Sequence, residues 1–490
     1  MKLSDAEIRA VYGQGEEAVV TLVKTLLGQI EALSEQVNQL SVRVETLEGQ
    51  AQKNSRNSSK PPSGDGFAKQ WPKSLREKSG KASGGQEDHP GSTLEWREEV
   101  DAVERHSVRA CIGCGASLSE VGATAVLSRQ VFDIPPLALK VTEHQAEIKD
   151  CPHCGCQTLA SFPAGVSNRV QYGPRLKGMM VYLQAAQLLP SGRTCDVFKD
   201  LLGVQVSEGT LYNTLAQCHE QLEPIEATIQ TQVATAPVVH FDETGLRVNG
   251  HLWWLHVACT SGLTYYFVHE KRGQLAMAAM DILPDYRGKA IHDGWKSYGD
   301  YLCEHFLCNA HHLRELQFVL EHHGQTWAYQ MSLLLVTILA QVNGAKAVGK
   351  RALASEQRQA FEARYTEIIE QGIAVNPLPE PLPDAPKKRG RPKRPPPLNL
   401  LERLRSQQAA VLGFMHDFEV PFDNNQAERD LRMMKLKQKI SGCFRSEDGA
   451  RMFCRIRGYL STLRKQNINL LDALVGLFSG NPVSLKPQPE

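Results

Sequence analysis

The most regular stretch of the chain is an apolar rhythm near its start. Val19, Val23, Leu26, Ile30, Leu33, Val37, Leu40, Val44 and Leu47 follow one another in steps of four and three. This spacing draws one seam along a helix. β-Branched residues stand at the a positions 23, 30, 37 and 44 and Leu at most d positions, which favours a parallel two-stranded coiled coil. Arg43 and Glu48 fall at g and the following e, positions that suit an interchain ion pair. The rhythm ends near Ala51. From there to about Gly91 the chain is rich in Ser, Lys, Pro and Gly, cannot bury enough apolar surface to fold alone, and reads as a linker.

Helical spacing returns in three segments, 175–189, 194–202 and 207–222. Ser207 stands as N-cap before EGTLYNTLAQ after a short G-V-Q-V turn, a helix-turn-helix pattern. The period then changes to two. PVVHFDETG, GHLWWLHVAC, GLTYYFVHE and KAIHDGW read as strands, with a hairpin over 260–262. Residues 306–372 are helical. Their longest apolar run, 331–342, is too short to cross a bilayer and reads as a buried helix. Asn376 to Pro397 holds nine prolines and six basic residues, including KKRGRPKR, and is an exposed loop. Helical periodicity resumes at Leu398 and runs to about Phe478.

These elements predict a multidomain α+β chain. A coiled coil spans 1–52, a flexible linker 53–100, a small cysteine-bearing domain 101–165 and a helical, helix-turn-helix-like DNA-binding domain 166–232. A strand-bearing core, its second part helical, occupies 233–305 and 419–480. A helical insertion over 306–418 carries the basic loop 376–397, and 481–490 is a tail.

Composition refines the picture only locally. The net charge is +1, but residues 1–50 carry four basic and eight acidic side chains, whereas 429–465 carry eleven basic and three acidic. A basic stretch on a neutral chain suggests a polyanion against one part of it. No apolar leader is evident, which predicts a cytoplasmic location and no membrane partner. In that reducing setting close cysteine pairs point to metal binding. Cys111-Ile-Gly-Cys114-Gly and Cys151-Pro-His-Cys154-Gly, 36 residues apart, offer the four soft ligands of a closed tetrahedral zinc site, with Cys156 as a substitute for Cys154. The intervening VFDIPPLALKVTEHQAEI alternates enough to predict a strand pair.

Three strands in meander with an acid on the first, and another acid on the fourth, describe a ribonuclease-H-like layout. Its first and fourth strands are neighbours, so Asp242 and Asp293 converge although 51 positions apart. The third carboxylate must come from a helix. Glu428 fits, with Asp423, Asn424 or Asn425 capping the helix ahead of it. Three carboxylates suit hard divalent cations such as Mg²⁺ or Mn²⁺, which carry out phosphodiester displacement in pairs. Glu243 points to the opposite strand face and stays out of this set. Arg432 and Lys435 lie four and seven residues after Glu428 on nearly the same helix face, within reach of DNA phosphates.

HFDETG, IHDGWKSY, CNAHHLREL, NNQAERDLRMMKLKQKISGCFRSEDGA and RIRGYLSTLRKQ together resemble the DDE transposases of the IS66 insertion-sequence family. The resemblance extends to the N-terminal coiled coil, the NSSKPPSGD linker, the paired C-x-x-C element and the RGRP-containing loop. It implies that Asp242, Asp293 and Glu428 are a catalytic triad and that the reaction is metal-dependent DNA cleavage and strand transfer. It implies as partners DNA, a second copy of the chain or a higher oligomer, and accessory proteins of the same element, all in a bacterial, nucleoid-associated setting. RGRP is similar to an AT-hook core, with Arg389 and Arg391 entering a narrow minor groove. Within the insertion, Cys308-Asn-Ala-His311 matches a recurrent C-x-x-H, with Cys303, His305 and His312 nearby. Two readings compete. A DNA-binding regulator without catalysis is disfavoured by the intact acids on a basic helix, and a nuclease that cuts without joining by the dimerising arm.

Overall fold

A computed structural model describes residues 4–54, 57, 94–377 and 394–486. It divides the chain into two compact units, one of 1–70, 161–196 and 206–490, the other of 71–160 and 197–205. Most of the expected linker and all of 378–393, with Arg389 and Arg391, lie outside the described residues.

The larger unit opens with α1 (Asp5–Gly13) and α2 (Glu16–Ala51). The heptad seam runs along one continuous 36-residue helix, and its Ile30, Leu33, Val37 and Leu40 are each 60–61% exposed. The smaller unit holds both C-x-x-C-G turns and one hairpin, β1 (Ile148–Asp150) against β2 (Gln157–Leu159), antiparallel with Lys149 opposite Thr158. This hairpin flanks the second turn. The strand pair expected over 131–148 does not form: 131–147 carries no strand, and only Ile148 enters β1. Pro135 and Pro136 remove two backbone donors there, and Val131, Ile134 and Val141 are exposed rather than packed.

After α3 (Pro174–Val181) the helix expected to continue to 189 widens into a π-helical turn, Tyr182–Ala186. Next come α4 (Ser191–Leu202), α5 (Glu208–Gln221) and α6 (Glu223–Ala234), a fourth helix in this segment. Ser207 caps α5 as its sequence predicts, accepting from the Thr210 N–H at 3.1 Å.

One five-stranded sheet follows: β3 (Val238–Val248), β4 (His251–Cys259), β5 (Thr264–His269), then α7 (Gln274–Ala279), β6 (Lys289–His292) and β7 (Glu304–Leu307). Its order is β5-β4-β3-β6-β7, with β3, β4 and β5 antiparallel and β6 and β7 parallel to β3. β7 is a fifth strand in the sheet. It carries Phe306 and Leu307, so the helical part begins at Asn309 rather than 306.

The helices beyond it are α8 (Asn309–His323), α9 (Thr326–Ala347), α10 (Ser355–Ala374), α11 (Pro396–Ser406), α12 (Gln408–His416), α13 (Asn425–Ser441), α14 (Glu447–Lys465) and α15 (Leu470–Phe478). The apolar stretch of α9 is a core helix: Trp327, Met331, Leu335 and Ile338 are buried among α8, α10, α11 and α12. The two sheet faces bury different partners. Val239 and Phe241 of β3 pack with Ile229, Met277 and Tyr298, while Leu246 and Val248 pack with Ala427, Leu431, Met434 and Phe453 of α13 and α14. Odd and even positions of β3 thus serve two cores, as the pleat requires. In a fourth cluster α14 packs on α3, α5 and α15, and its Arg457 donates to the Ala185 carbonyl at 3.2 Å. A π-helical turn leaves carbonyls out of the regular ladder, and this buried guanidinium takes one of them.

Candidate active site

Sheet register brings two of the predicted acids together. The last register pair between β3 and β6 is His240↔Ile291, and Asp242 and Asp293 each lie two residues beyond it. Asp242 is an even position of β3, on the face that carries Leu246 and Val248 and packs against α13. Glu428 lies in the first turn of α13.

The electrostatics agree with this convergence. Desolvation holds the Asp242 carboxyl well above the usual carboxylate range, and the charges of Glu243, Asp293 and Glu428 add to the rise. Asp293 is raised by desolvation and then by Glu243. Backbone N–H groups serve both: Glu243 N donates to Asp242 at 2.8 Å and Trp295 N to Asp293 at 2.8 Å. Such a pair, short of positive charge, has the donor chemistry a hard divalent cation takes up. The oxygens of the three acids are not all within 4.8 Å of one another. Among the described residues that closeness belongs to Cys308, His311 and Glu428.

Asn424 holds the start of α13 to the sheet. Its Nδ2 donates to the Phe241 carbonyl at 2.8 Å, and its Oδ1 accepts from His240 Nδ1 at 2.9 Å, which fixes the imidazole proton on Nδ1. Its own N–H donates to Cys308 Sγ at 3.1 Å. Of the three predicted caps, Asp423 accepts from the Asn425 N–H at 3.0 Å, whereas the Asn424 side chain makes no cap bond and reaches the sheet instead. The sequence marked Asn424 only as a candidate cap, not as this anchor to the sheet. Its one signal was a run of two asparagines ahead of α13.

Glu243 points away from Asp242, as expected, into a partnership of its own. Arg272 donates to it through Nε at 2.9 Å and a terminal nitrogen at 2.7 Å, and Tyr298 Oη donates at 2.7 Å. The same guanidinium lies between Trp254 and Trp295, 4.9 and 4.2 Å from their ring centroids.

The predicted DNA contacts divide. Arg432 is exposed on α13. The Lys435 ammonium turns inward and donates to the Gly245 carbonyl at 3.0 Å, and desolvation lowers its pKa. Glu428 does not pair with Arg432 along the helix. Its carboxylate faces Arg314 of α8, 3.4 Å away.

In the smaller unit the two knuckles share one hydrogen-bond pattern. Cys111 N donates to Ala116 O and Gly115 N to Cys111 O, and Cys151 N donates to Cys156 O and Gly155 N to Cys151 O. Gly115 and Gly155 have φ of +74° and +72°, which suit glycine. The N–H groups of Cys114 and Gly113 lower the Cys111 thiol pKa, and that of Cys156 lowers Cys154. Turns of this kind fit thiolate ligands. No three of these sulfurs lie within 4.8 Å of one another.

Comparison with known families adds three matches. A model described as the transposase IS66 family matches residues 169–452, and one for the zinc-finger binding domain of transposase IS66 matches 109–155. A family of unknown function, DUF6444, matches 7–95. No curated protein matches the sequence at a significant level.

Proposed function

The chain belongs to the IS66 transposase family, whose model spans more than half of it, and on that premise we propose that it cuts and joins DNA at the ends of an insertion sequence through Asp242, Asp293 and Glu428. The observation that carries the reading is the placement of Asp242 and Asp293 two residues past one register pair of neighbouring parallel strands, on a sheet whose α13-facing side receives Glu428. The strand order, three antiparallel and two parallel, supports a ribonuclease-H-like core.

When bound at these carboxylates, Mg²⁺ or Mn²⁺ supplies an activated water and a stabilised leaving oxygen for in-line displacement at phosphorus. The chain's own part is geometric. Asp242 presents its oxygens from within β3 and Asp293 from just past the end of β6, both fixed by the sheet, and Asn424 sets where Glu428 stands over them. In cleavage, the water oxygen bonds to phosphorus as the bond to the 3′ oxygen breaks, leaving a 3′-hydroxyl that takes up a proton. In joining, that hydroxyl bonds to a target phosphorus as the target's own P–O bond breaks, so the number of phosphodiester bonds is conserved. Cys111, Cys114, Cys151 and Cys154 hold a structural zinc. Arg432, with Arg389 and Arg391, contacts the DNA backbone and groove. Residues 166–232 bind the element's ends, and a homodimer or higher oligomer, aided by accessory proteins, brings two ends together.

Purified chain, Mg²⁺ and labelled DNA from either side of its reading frame, supplied uncut or pre-cut, test this. We expect nicking of the uncut ends and joining of the pre-cut ones. Both are lost in Glu428→Gln, which still binds. Binding without cleavage by the wild type would make the protein a regulator, and cleavage without joining a nuclease. A Glu428→Gln protein that still cuts removes Glu428 from the site.

A further inference from the structure

The turn between β7 and α8 brings a thiol and an imidazole to the helix-borne acid. Cys308 is 1% exposed, its N–H donates to the His292 carbonyl at 3.0 Å, and His311 follows one helical turn later. Ligand atoms of Cys308, His311 and Glu428 all lie within 4.8 Å of one another. His311 Nδ1 is 3.9 Å from Glu428 Oε1 and is out of solvent without a hydrogen-bond partner. Cys308 Sγ accepts the Asn424 N–H at 3.1 Å, the kind of bond that supports a metal thiolate.

We propose that Cys308, His311 and Glu428 form a site for a soft divalent ion, zinc above all, separate from the four knuckle cysteines. Zinc bonds of about 2.0–2.3 Å set two tetrahedral ligands roughly 3.3–3.7 Å apart. The His311–Glu428 distance therefore needs to close by only a few tenths of an ångström. Thiolate and imidazole select zinc over magnesium, which prefers oxygen. Binding releases the Cys308 proton to solvent, forms the metal–sulfur, metal–nitrogen and metal–oxygen bonds, and leaves a fourth position to water. No oxidant or reductant is involved. Glu428 bound to this ion keeps at most one oxygen for a metal at Asp242 and Asp293 and is drawn toward Cys308 and His311, so zinc occupancy opposes the proposed cleavage. The binding is independent of the transposition reading; the inhibition rests on it.

The test uses the full chain, titrated with zinc against a chelator of known affinity, and its Cys308→Ser and His311→Gln variants. Two zinc equivalents are expected for the wild type and one for each variant. The retained knuckle zinc and an unchanged circular dichroism spectrum report intact folding. Cobalt replacing the second equivalent should give a thiolate charge-transfer band that Cys308→Ser lacks. One equivalent in all three proteins overturns the site, as does a second equivalent that survives both substitutions. With Mg²⁺ and labelled ends, added zinc should stop nicking by the wild type at concentrations that leave Cys308→Ser active. Equal inhibition of both overturns zinc's action through this site. A wild type that never nicks in Mg²⁺ counts against the transposition reading, while the zinc titration still decides the site.

Discussion

At the scale of the residue, burial of side chains that titrate or carry charge has consequences that can be measured. His256 is 2% exposed on β4, and desolvation lowers its pKa to about 4, with nearby His269 and Arg272 adding to the fall. An unfolded histidine titrates near 6.5. Above that pH neither state holds the proton and His256 contributes nothing to pH dependence. Between about 6.5 and 4 the unfolded chain takes up a proton that the folded one refuses, so stability falls as pH falls, by about 1.4 kcal/mol per unit. His256→Gln removes this component while leaving every other titrating group in place. From pH 6.5 to 5 the wild type should lose about 2 kcal/mol more than His256→Gln, read from denaturant midpoints at the two pH values. Parallel losses would place the proton sensitivity elsewhere. Asn424 belongs to this scale as well. A single side chain bonds the Phe241 carbonyl and the His240 imidazole, in the two residues just before Asp242, and so couples helix position to the proposed site.

At the scale of the element, the orientation of α13 depends on a buried ion pair. Asp430 receives Lys465 of α14 at 2.7 Å, the Thr264 hydroxyl of β5 at 3.0 Å and the Ser461 hydroxyl at 3.4 Å, and both charged side chains are about one-tenth exposed. Asp430→Leu leaves the Lys465 ammonium buried with only the carbonyls of Thr260 and Leu263, and should cost about 3–5 kcal/mol by thermal or chemical unfolding. Adding Lys465→Met should recover much of that loss, because the pair then goes as a unit. A single variant as stable as the wild type would show that the pair does not hold α13. None of this was legible in the sequence. Asp430 sits in AERDLR, which reads as a solvated charged face, and its partner is 35 residues away with no periodic signal joining them. Elements with strong local signals were legible: the heptads of α2, the Ser207 cap of α5, the strand that carries Asp242 and the one that ends just before Asp293. The strand expected across Pro135 and Pro136 failed for want of donors and packing, and four-residue β7 was too short to separate by pattern from the helix after it. The zinc knuckles could be read because glycine at positive φ is a backbone requirement written directly into the residue type.

At the scale of the whole molecule, the seam of α2 is an apolar stripe about half to two-thirds exposed at Val23, Ile30, Leu33, Val37, Leu40, Val44 and Leu47. A second copy offering the same stripe would bury it. The full chain should therefore sediment as a dimer or larger, and Ile30→Glu with Val37→Glu should yield a smaller species with unchanged zinc content. A wild type that is monomeric at micromolar concentration would remove the coiled-coil reading. The core that joins the sheet to α13 and α14 has a further consequence, in the time taken to make the chain. Leu246, Val257, Tyr266 and Val268 are complete once β5 has been synthesised, but the helices that cover them begin only at Asn425. At about 5–20 residues per second, that face waits roughly ten to thirty seconds on the ribosome for its lid. Chains stopped before α13 keep the uncovered strands and lack the third acid. Interrupted translation thus yields fragments with an uncovered apolar face for chaperones and proteases to clear, and under the proposed function these fragments cannot cut DNA.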